Sequence, residues 1–466
     1  MASENLKQTI REYENYIQAN GVDWRGVQAY AKACAVAING ENDIYYGLQL
    51  AKRSKELTER YCLEQTGGAI WELEKYAFEH KTTNKTILEL IDCFYSVLLL
   101  EAQHKVIDSF FRYIEHKREP KERFYMPRRK QLLKIGLVDA LQGMIDDKYD
   151  ILCISLIPGA GKTTIEKFFN AAVIGWYPKD FNLFYSHSGD ITRMYYDGIY
   201  DIVTNSDEYA WNEIFPDLYV TSTNAKTEQF NVGKYKPFPS VQCTSVGSKN
   251  AGKVRASKFL LVDDMIGGIE EALNPAILEK LWSKYSVDAR QRKIKDTDGK
   301  NCKEIHIATR WSVQDVIGRI QKMYEGNPRV KVIAVPDVDP VTGKSNFDYE
   351  FSGFDEEFFA DQQLLMDDIS YKCLYKQEPI EREGLLFPED KIRRYLNLPH
   401  GVPEIVTAQC DTKGKGTDYF VMPVFQKFGE DYYCVDAVCD NTADYEMQYE
   451  NAANMLVNNE VIECEF

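Results

Sequence analysis

Ile151-Leu152-Cys153-Ile154-Ser155-Leu156-Ile157-Pro158-Gly159-Ala160-Gly161-Lys162-Thr163-Thr164 decides the fold of this chain. Residues 151–157 are almost all apolar and read as a buried strand. The glycine-containing turn that follows runs into a helical pattern through Phe168, Phe169 and Ala172. Strand, glycine loop and helix in that order are the context of a nucleotide-binding P-loop. Gly159 and Gly161, with Pro158, Ala160 and Thr164 around them, let backbone N–H groups turn inward on phosphates. The helix N-terminus adds its dipole. Lys162 offers a positive charge to the β- and γ-phosphates, and the Thr163 hydroxyl can ligate Mg2+. The tripeptide Gly161-Lys162-Thr163 alone is a weak signal. One departure is visible: Leu156 stands six positions before the lysine, where a P-loop usually has its first glycine.

An NTPase needs a second carboxylate site at the end of a neighbouring strand. Phe259-Leu260-Leu261-Val262-Asp263-Asp264 supplies one about a hundred residues downstream. Asp263 would hold the Mg2+ shell, and Asp264 would orient or deprotonate the attacking water. The plainer reading is a strand ending in a solvated pair of acids. A third apolar run, Ile305-His306-Ile307-Ala308, ends in Thr309 and Arg310. A polar group there can sense the γ-phosphate, and an arginine there equally often pairs with an acid. His306 is expected to point into the sheet as a core histidine. The loop 247–255 carries Lys249, Lys253 and Arg255 among glycines. It reads as a DNA contact, a source of an arginine finger on ATP, or a merely solvated loop.

Outward from this centre, short apolar runs alternate with helical patterns at 183–185, 259–262, 305–308 and 330–335. That alternation predicts an α/β domain with a largely parallel sheet. Residues 1–110 read as helical, with Ile87, Leu88, Ile91, Phe94, Tyr95 and Leu98 at three- and four-residue spacing. Residues 112–134 carry nine Lys/Arg against three Glu, with Tyr113, Phe124 and Tyr125 interleaved. This suggests a phosphate-contacting surface or a solvated connector. Residues 348–368 hold eight Asp/Glu and no Lys/Arg, and read as a helical stretch with a packed face of Phe351, Phe354, Phe358 and Phe359. Pro388, and Pro399 to Pro403 around Gly401, look like an interdomain linker.

A second α/β pattern begins at Ile405. Its first strand ends near Asp411, two more follow after a hairpin at 413–417, and a helix over 445–457 precedes a strand containing Glu465. Acids from neighbouring strands are what a two-metal nuclease uses to clamp a phosphodiester, so Asp411 and Glu465 are candidates in a ribonuclease-H-like sheet. The expected fold class is therefore α/β. A P-loop NTPase domain with a largely parallel sheet is followed by an incomplete ribonuclease-H-like α/β nuclease domain and preceded by a helical region. The expected divisions are 1–120 helical, 121–345 motor, 346–402 helical subdomain and linker, and 403–466 nuclease.

The 466 residues leave room for several cores, and 44% hydrophobic with 27% charged is the composition of a globular protein. The sequence has no run of 18 apolar residues, so no membrane span is expected. The polar start excludes a secretory signal, and eleven scattered cysteines suggest free thiols in a reducing compartment. A net charge of −16 argues against coating nucleic acid by bulk charge, but not against local basic tracks.

These motifs together resemble the large subunit of a tailed-phage terminase, over roughly residues 120–466. Phe124-Tyr125-Met126-Pro127-Arg128-Arg129-Lys130-Gln131 lies where that family has a glutamine-containing adenine-contact motif. The P-loop without its first glycine, the segment 183–190, and the run 247–264 into the acids are also similar. So are Ala308-Thr309-Arg310-Trp311-Ser312-Val313-Gln314-Asp315-Val316-Ile317-Gly318-Arg319-Ile320, the coupling segment, and Tyr375-Lys376-Gln377-Glu378-Pro379-Ile380 followed by Gly384-Leu385-Leu386-Phe387.

The resemblance implies an ATPase that translocates double-stranded DNA into a procapsid, and an endonuclease that cuts concatemers. It implies ATP and Mg2+ at Gln131, Lys162, Thr163, Asp263 and Asp264. Mg2+ or Mn2+ is implied at Asp411 and Glu465, with Asp418 a commonly acidic position. Many members have Glu at the position of Asp264, and the third nuclease acid is expected beyond residue 466. The implied partners are DNA, portal protein, terminase small subunit and further copies of the chain in a ring. The implied location is the host cytoplasm and, transiently, the procapsid. A helicase and a non-enzymatic nucleotide switch use the same P-loop logic and are the alternatives.

Overall fold

The computed structural model describes residues 2–246, 254–379, 393–411, 420–440 and 445–465. They belong to two compact units, Met1–Arg382 and Glu383–Phe466. The first unit opens with helices α1 (Glu4–Asn20), α2 (Trp24–Ala35), α3 (Ile44–Thr66), α4 (Ile70–Glu79), α5 (Lys85–Gln103) and α6 (Ile107–Ile114). Ser3, Asp23, Asp43 and Asn84 start α1, α2, α3 and α5, because each side chain accepts a backbone N–H of the first turn. Helices α7 (Tyr125–Lys134) and α8 (Leu137–Ile145) lead to strand β1 (Ile151–Ser155).

The rest of the unit alternates. It runs α9 (Lys162–Trp176), β2 (Asn182–Ser186), α10 (Gly189–Thr204), α11 (Trp211–Ile214), β3 (Val220–Asn224), β4 (Gln229–Val232), β5 (Val241–Ser245) and β6 (Phe259–Asp263). Then come α12 (Ile269–Ala272), α13 (Pro275–Ser283), β7 (Lys303–Ile307), α14 (Val316–Met323), β8 (Val330–Ala334), α15 (Glu356–Leu365) and α16 (Asp368–Tyr371). The sheet order is β3-β4-β5-β2-β6-β7-β1-β8. From β5 to β8 all neighbours are parallel, as the alternating pattern predicts. Strands β3 to β5 form an antiparallel extension that the pattern did not announce. Val220-Thr221-Ser222-Thr223-Asn224 carries almost no apolar signal, and its residues are mostly exposed.

Both faces of the sheet are covered. Leu152, Ile154, Phe184, Leu261, Ile305 and Ile307 share one core with α1–α10, from Val27 and Leu57 to Phe168. Ile151, Cys153, Leu183, Leu260 and Val262 pack on the other side with Leu278, Tyr285, Val316 and Ile320. Alternate residues of each strand thus serve opposite cores, as strand pleating requires.

Two expectations need correction. The acidic stretch 348–368 is helical only from Glu356: Gly353 lies at φ +68° and Asp355 caps α15. Phe359 is buried there, but Phe351 is 68% exposed. The basic segment 112–134 is largely a set of internal ion pairs, not a free surface. Arg123 is buried and donates to Glu74 at 2.6 Å, Tyr95 at 2.9 Å and the His116 carbonyl at 2.6 Å. Arg129 makes paired bonds of 2.8 Å to Asp108. Arg118 meets Glu115 and Glu208, Lys117 meets Glu213, and buried Arg112 lies over the Phe94 ring. Lys121, Lys130 and Lys134 remain exposed.

The second unit contains β9 (Ile405–Gln409), β10 (Phe420–Phe428), β11 (Asp431–Asp440), α17 (Tyr445–Asn458) and β12 (Glu463–Glu465). Its sheet order is β11-β10-β9-β12. Strands β9, β10 and β11 form an antiparallel meander, and β12 lies parallel to β9. Val406, Ala408, Cys410, Phe420, Met422 and Val424 pack against Ala452 and Met455 of α17. The expected hairpin at 413–417 lies outside the described residues. Among the described residues no helix is long and apolar enough to cross a membrane.

Candidate functional site

In a parallel sheet the carboxyl ends of β1, β2, β6 and β7 open on one edge, and the loops that leave them define a common crevice. The turn 156–161 leaves β1 there. Gly159 and Gly161 sit at φ +78° and +87°, a region that non-glycine residues avoid. Gly161 caps α9 with no side-chain hydrogen bond, so the first N–H groups of the helix are left for a ligand. Leu156, the departure from the usual glycine, is buried. Its carbonyl accepts the Lys162 ammonium at 2.7 Å, and the Ile157 carbonyl accepts it at 3.3 Å. Burial lowers the Lys162 pKa, against the opposing pull of Asp264 and Asp263.

The Thr163 hydroxyl donates to Asp263 Oδ2 at 2.8 Å, joining the first turn of α9, which follows β1, to the end of β6. Between those strands runs β7, so the two residues meet across an intervening strand. Asp263 is 2% exposed, and its Oδ1 has no partner. Burial, and then the neighbouring Asp264, hold its carboxyl well above the usual range. Asp264 is half-buried at φ +37°. Its Oδ1 accepts the Thr309 N–H at 2.9 Å, and its N–H donates to the Ile307 carbonyl at 2.9 Å. Its own carbonyl is 2.5 Å from His187 Nδ1. Three strand ends are therefore tied to one acid.

Arg310 is buried and takes the acid-pairing course. It donates to Asp315 at 2.8 Å and Gln321 at 2.8 Å, and Asp315 also caps α14. His306 is a core residue, with Nε2 3.0 Å from Glu304. Gln131 donates to the Asp348 carbonyl at 2.8 Å. Near it the loop is flanked by rings. A Cβ on Gly161 would lie 2.3 Å from Phe124, and one on Gly159 3.0 Å from Phe354. Arg128 lies over Phe124 at 4.4 Å and over Tyr349 at 4.8 Å. Arg255 donates to the Val254 carbonyl at 2.8 Å, while Lys249 and Lys253 lie outside the described residues.

Sequence reasoning missed Glu166, one turn beyond Lys162. It is buried, and neither carboxylate oxygen has a partner. Burial, then Asp263, raises its pKa well above the usual range, while Lys167 acts the other way. The signal was present as an acid within the otherwise apolar pattern of Ile165, Phe168, Phe169 and Ala172.

In the second unit Val406, Ala408 and Cys410 face the core, and Thr407, Gln409 and Asp411 face the other way. Glu465 pairs with Gln409, so Asp411 and Glu465 lie on one exposed face of adjacent strands. Asp411 exchanges backbone hydrogen bonds with Val421 at 2.9 and 3.1 Å. Asp418 lies outside the described residues. Among the described residues no group of three or more His, Cys, Asp or Glu is arranged to hold a metal.

The chain is similar in structure to several phage large terminases, all at low identity. The large terminase of bacteriophage HK97 matches over 78% of this chain and 74% of that one, at 11% identity and a TM-score of 0.40. The ATPase domain of the Thermus phage P74-26 large terminase matches over 52% and 92%, at 12% identity and 0.36. A large terminase from a thermophilic bacteriophage, in complex with ADP, matches over 71% and 74%, at 12% identity and 0.33. No protein-family model and no curated protein matches the chain.

Proposed function

We propose that this chain is a DNA-packaging motor, a terminase large subunit whose first unit hydrolyses ATP to move double-stranded DNA into a procapsid. The observation that carries the ATPase reading is the Thr163–Asp263 hydrogen bond beneath a turn of left-handed glycines and an uncapped helix N-terminus. A hydroxyl and a carboxylate in contact, at a buried strand end, are a fitting hard-oxygen donor set for Mg2+. When bound, Mg2+ would offset charge on the β- and γ-phosphates. Thr163 and Asp263 are the residues that would hold it.

The remaining roles follow from chemistry. Lys162 exchanges the Leu156 and Ile157 carbonyls for phosphate oxygens, which are stronger acceptors for an ammonium group. Asp264, held by the Thr309 N–H, orients the attacking water and takes its proton. Thr309 then feels the loss of the γ-phosphate through Asp264. The buried Arg310–Asp315 pair makes the end of β7 and the start of α14 one stiff piece, so a shift at Thr309 reaches α14. The glycine turn, with Pro158, Ala160 and Thr164, would form the phosphate cradle, and Gln131 is the candidate adenine contact.

The second unit, in this reading, is the endonuclease. A three-strand meander with a fourth strand parallel to the first supports a ribonuclease-H-like sheet. Asp411 and Glu465 on its exposed face, with Asp418, are the candidate ligands for Mg2+ or Mn2+. The partners are DNA, portal protein, terminase small subunit and further copies in a ring, on the procapsid in the host cytoplasm.

The test is Lys162→Ala. It is expected to abolish ATP turnover and packaging while sparing the fold, and retained DNA-stimulated turnover would refute the assignment. For the nuclease, metal-dependent plasmid cutting is expected to disappear in Asp411→Ala, and persistence refutes that site.

A further inference from the structure

Among the described residues, ten buried side-chain polar atoms lack a hydrogen-bond partner, and five of them belong to four neighbouring residues. These are both carboxylate oxygens of Glu166, Oδ1 of Asn170, Oγ of Ser186 and Oδ1 of Asp263. Glu166 and Asn170 stand one turn apart on α9. Ser186 ends β2 in register with Asp263 on β6. Tyr195 of α10 closes the group, its hydroxyl accepting from Asn170 Nδ2 at 3.1 Å. Glu166 and Asn170 are each 1% exposed and Ser186 is 0%.

Such a cluster is costly. A buried carboxyl without partners loses several kcal/mol, roughly, relative to water. Among the described residues no hydrogen bond offsets that cost. Lys167 beside Glu166 bonds neither oxygen, and the neighbouring positions on α9, Ile165, Phe168 and Phe169, are apolar. Polar groups that break the local rule at a strand-end crevice belong to the site more often than to the scaffold. Five orphan oxygens on α9, β2 and β6 also call for water, because a water molecule with two to four polar partners is stable where an apolar side chain is not.

We propose that Glu166 is a positioning residue of the metal–nucleotide site. Through enclosed water shared with Asn170 and Ser186, it holds Asp263 Oδ1. Asp263 Oδ2 is thereby fixed toward Thr163 and the metal. The proposal rests on the reading of Thr163 and Asp263 as the Mg2+-holding pair.

The experiment uses the full chain, with Mn2+ as the metal probe and ADP as the nucleotide. Free Mn2+ is counted by electron paramagnetic resonance with and without saturating ADP, in chains that all carry Asp411→Ala so that the second unit's candidate ligands do not contribute, and the Mn2+ held by ADP alone is subtracted. ADP affinity is measured separately in chelator, and folding is followed by thermal melting. Glu166→Gln is isosteric, but one arm of its amide only donates. It is expected to weaken Mn2+ binding by about tenfold, with metal-free ADP affinity within about twofold of wild type. Glu166→Leu, which removes the orphan carboxyl, is expected to weaken Mn2+ at least as much while melting no lower than wild type. Wild-type Mn2+ affinity in Glu166→Gln overturns the proposal, whatever the Leu variant does. A wild-type chain that binds no Mn2+ with ADP overturns the nucleotide-site reading first, and the two failures are thereby told apart.

Discussion

Gly161→Ala tests the glycine turn more sharply than removal of Lys162, because it adds one methyl group and changes no charge. At φ +87° an alanine pays the left-handed penalty of about 1–2 kcal/mol. The added Cβ would also lie 2.3 Å from Phe124 Cε2 and 2.4 Å from Cζ. That ring packs edge-on against Phe168, with centroids 5.8 Å apart, so it cannot withdraw freely. Overpacking of this kind costs about 1–3 kcal/mol. In the free protein the turn relaxes to escape both terms. Binding must then restore the cradle, so the strain appears as lost affinity. A central value of about 3 kcal/mol corresponds to roughly a hundredfold weaker nucleotide binding. Titration calorimetry with ADP and magnesium measures it. The double variant Gly161→Ala with Phe124→Ala should regain the steric part and leave the backbone part. Affinity within about threefold of wild type in the single variant would show that the nucleotide does not use this turn, because strain of this size could not then go unread.

Two further predictions concern the basic segment. Arg123→Leu removes a buried guanidinium from half-buried Glu74, which keeps only the Tyr95 hydroxyl, and is expected to cost about 3 kcal/mol in urea denaturation, while the salt dependence of DNA binding stays unchanged. A stability loss below about 1 kcal/mol would mean that the arginine is not structural. Burial raises the Asp108 carboxyl, but Arg129, Arg112 and the Tyr125 hydroxyl outweigh it and bring the pKa down to about 2. A depressed acid stabilises the fold above its unfolded pKa, and that contribution disappears as the pH falls through the folded value. The wild-type advantage over Asp108→Asn should therefore include about 2 kcal/mol at pH 7 that is lost between roughly pH 4 and 2. An advantage that does not change with pH rules out the ion pair as its source.

Several features were legible in the residues because the signal is local. The strand, glycine turn and helix at 151–176 announce themselves by contiguous apolarity and by glycines where the backbone must turn. Asp263 and Asp264 follow an apolar run long enough to identify a buried strand. The parallel strands and the second α/β unit were legible for the same reason. The polar strand β3 and the late start of α15 were not, since their conformations come from pairing with β4 and from the Gly353 turn.

What the tertiary structure alone decided is adjacency. Strand order is set by hydrogen bonds between segments far apart in the chain, and it alone places β7 between β1 and β6 and ties Thr309 to Asp264. The charge run 112–134 looked like a surface because its acids come from distant positions: Glu59, Glu74, Asp108, Glu208 and Glu213. In the sequence Glu166 is an acid set among Ile165, Phe168 and Phe169, a pattern that hints at burial but does not state it. Only packing shows that α9 turns this carboxylate away from water and toward Asp263, where desolvation makes it matter. Local chemistry is written in neighbouring residues; burial and long-range pairing are properties of the folded chain.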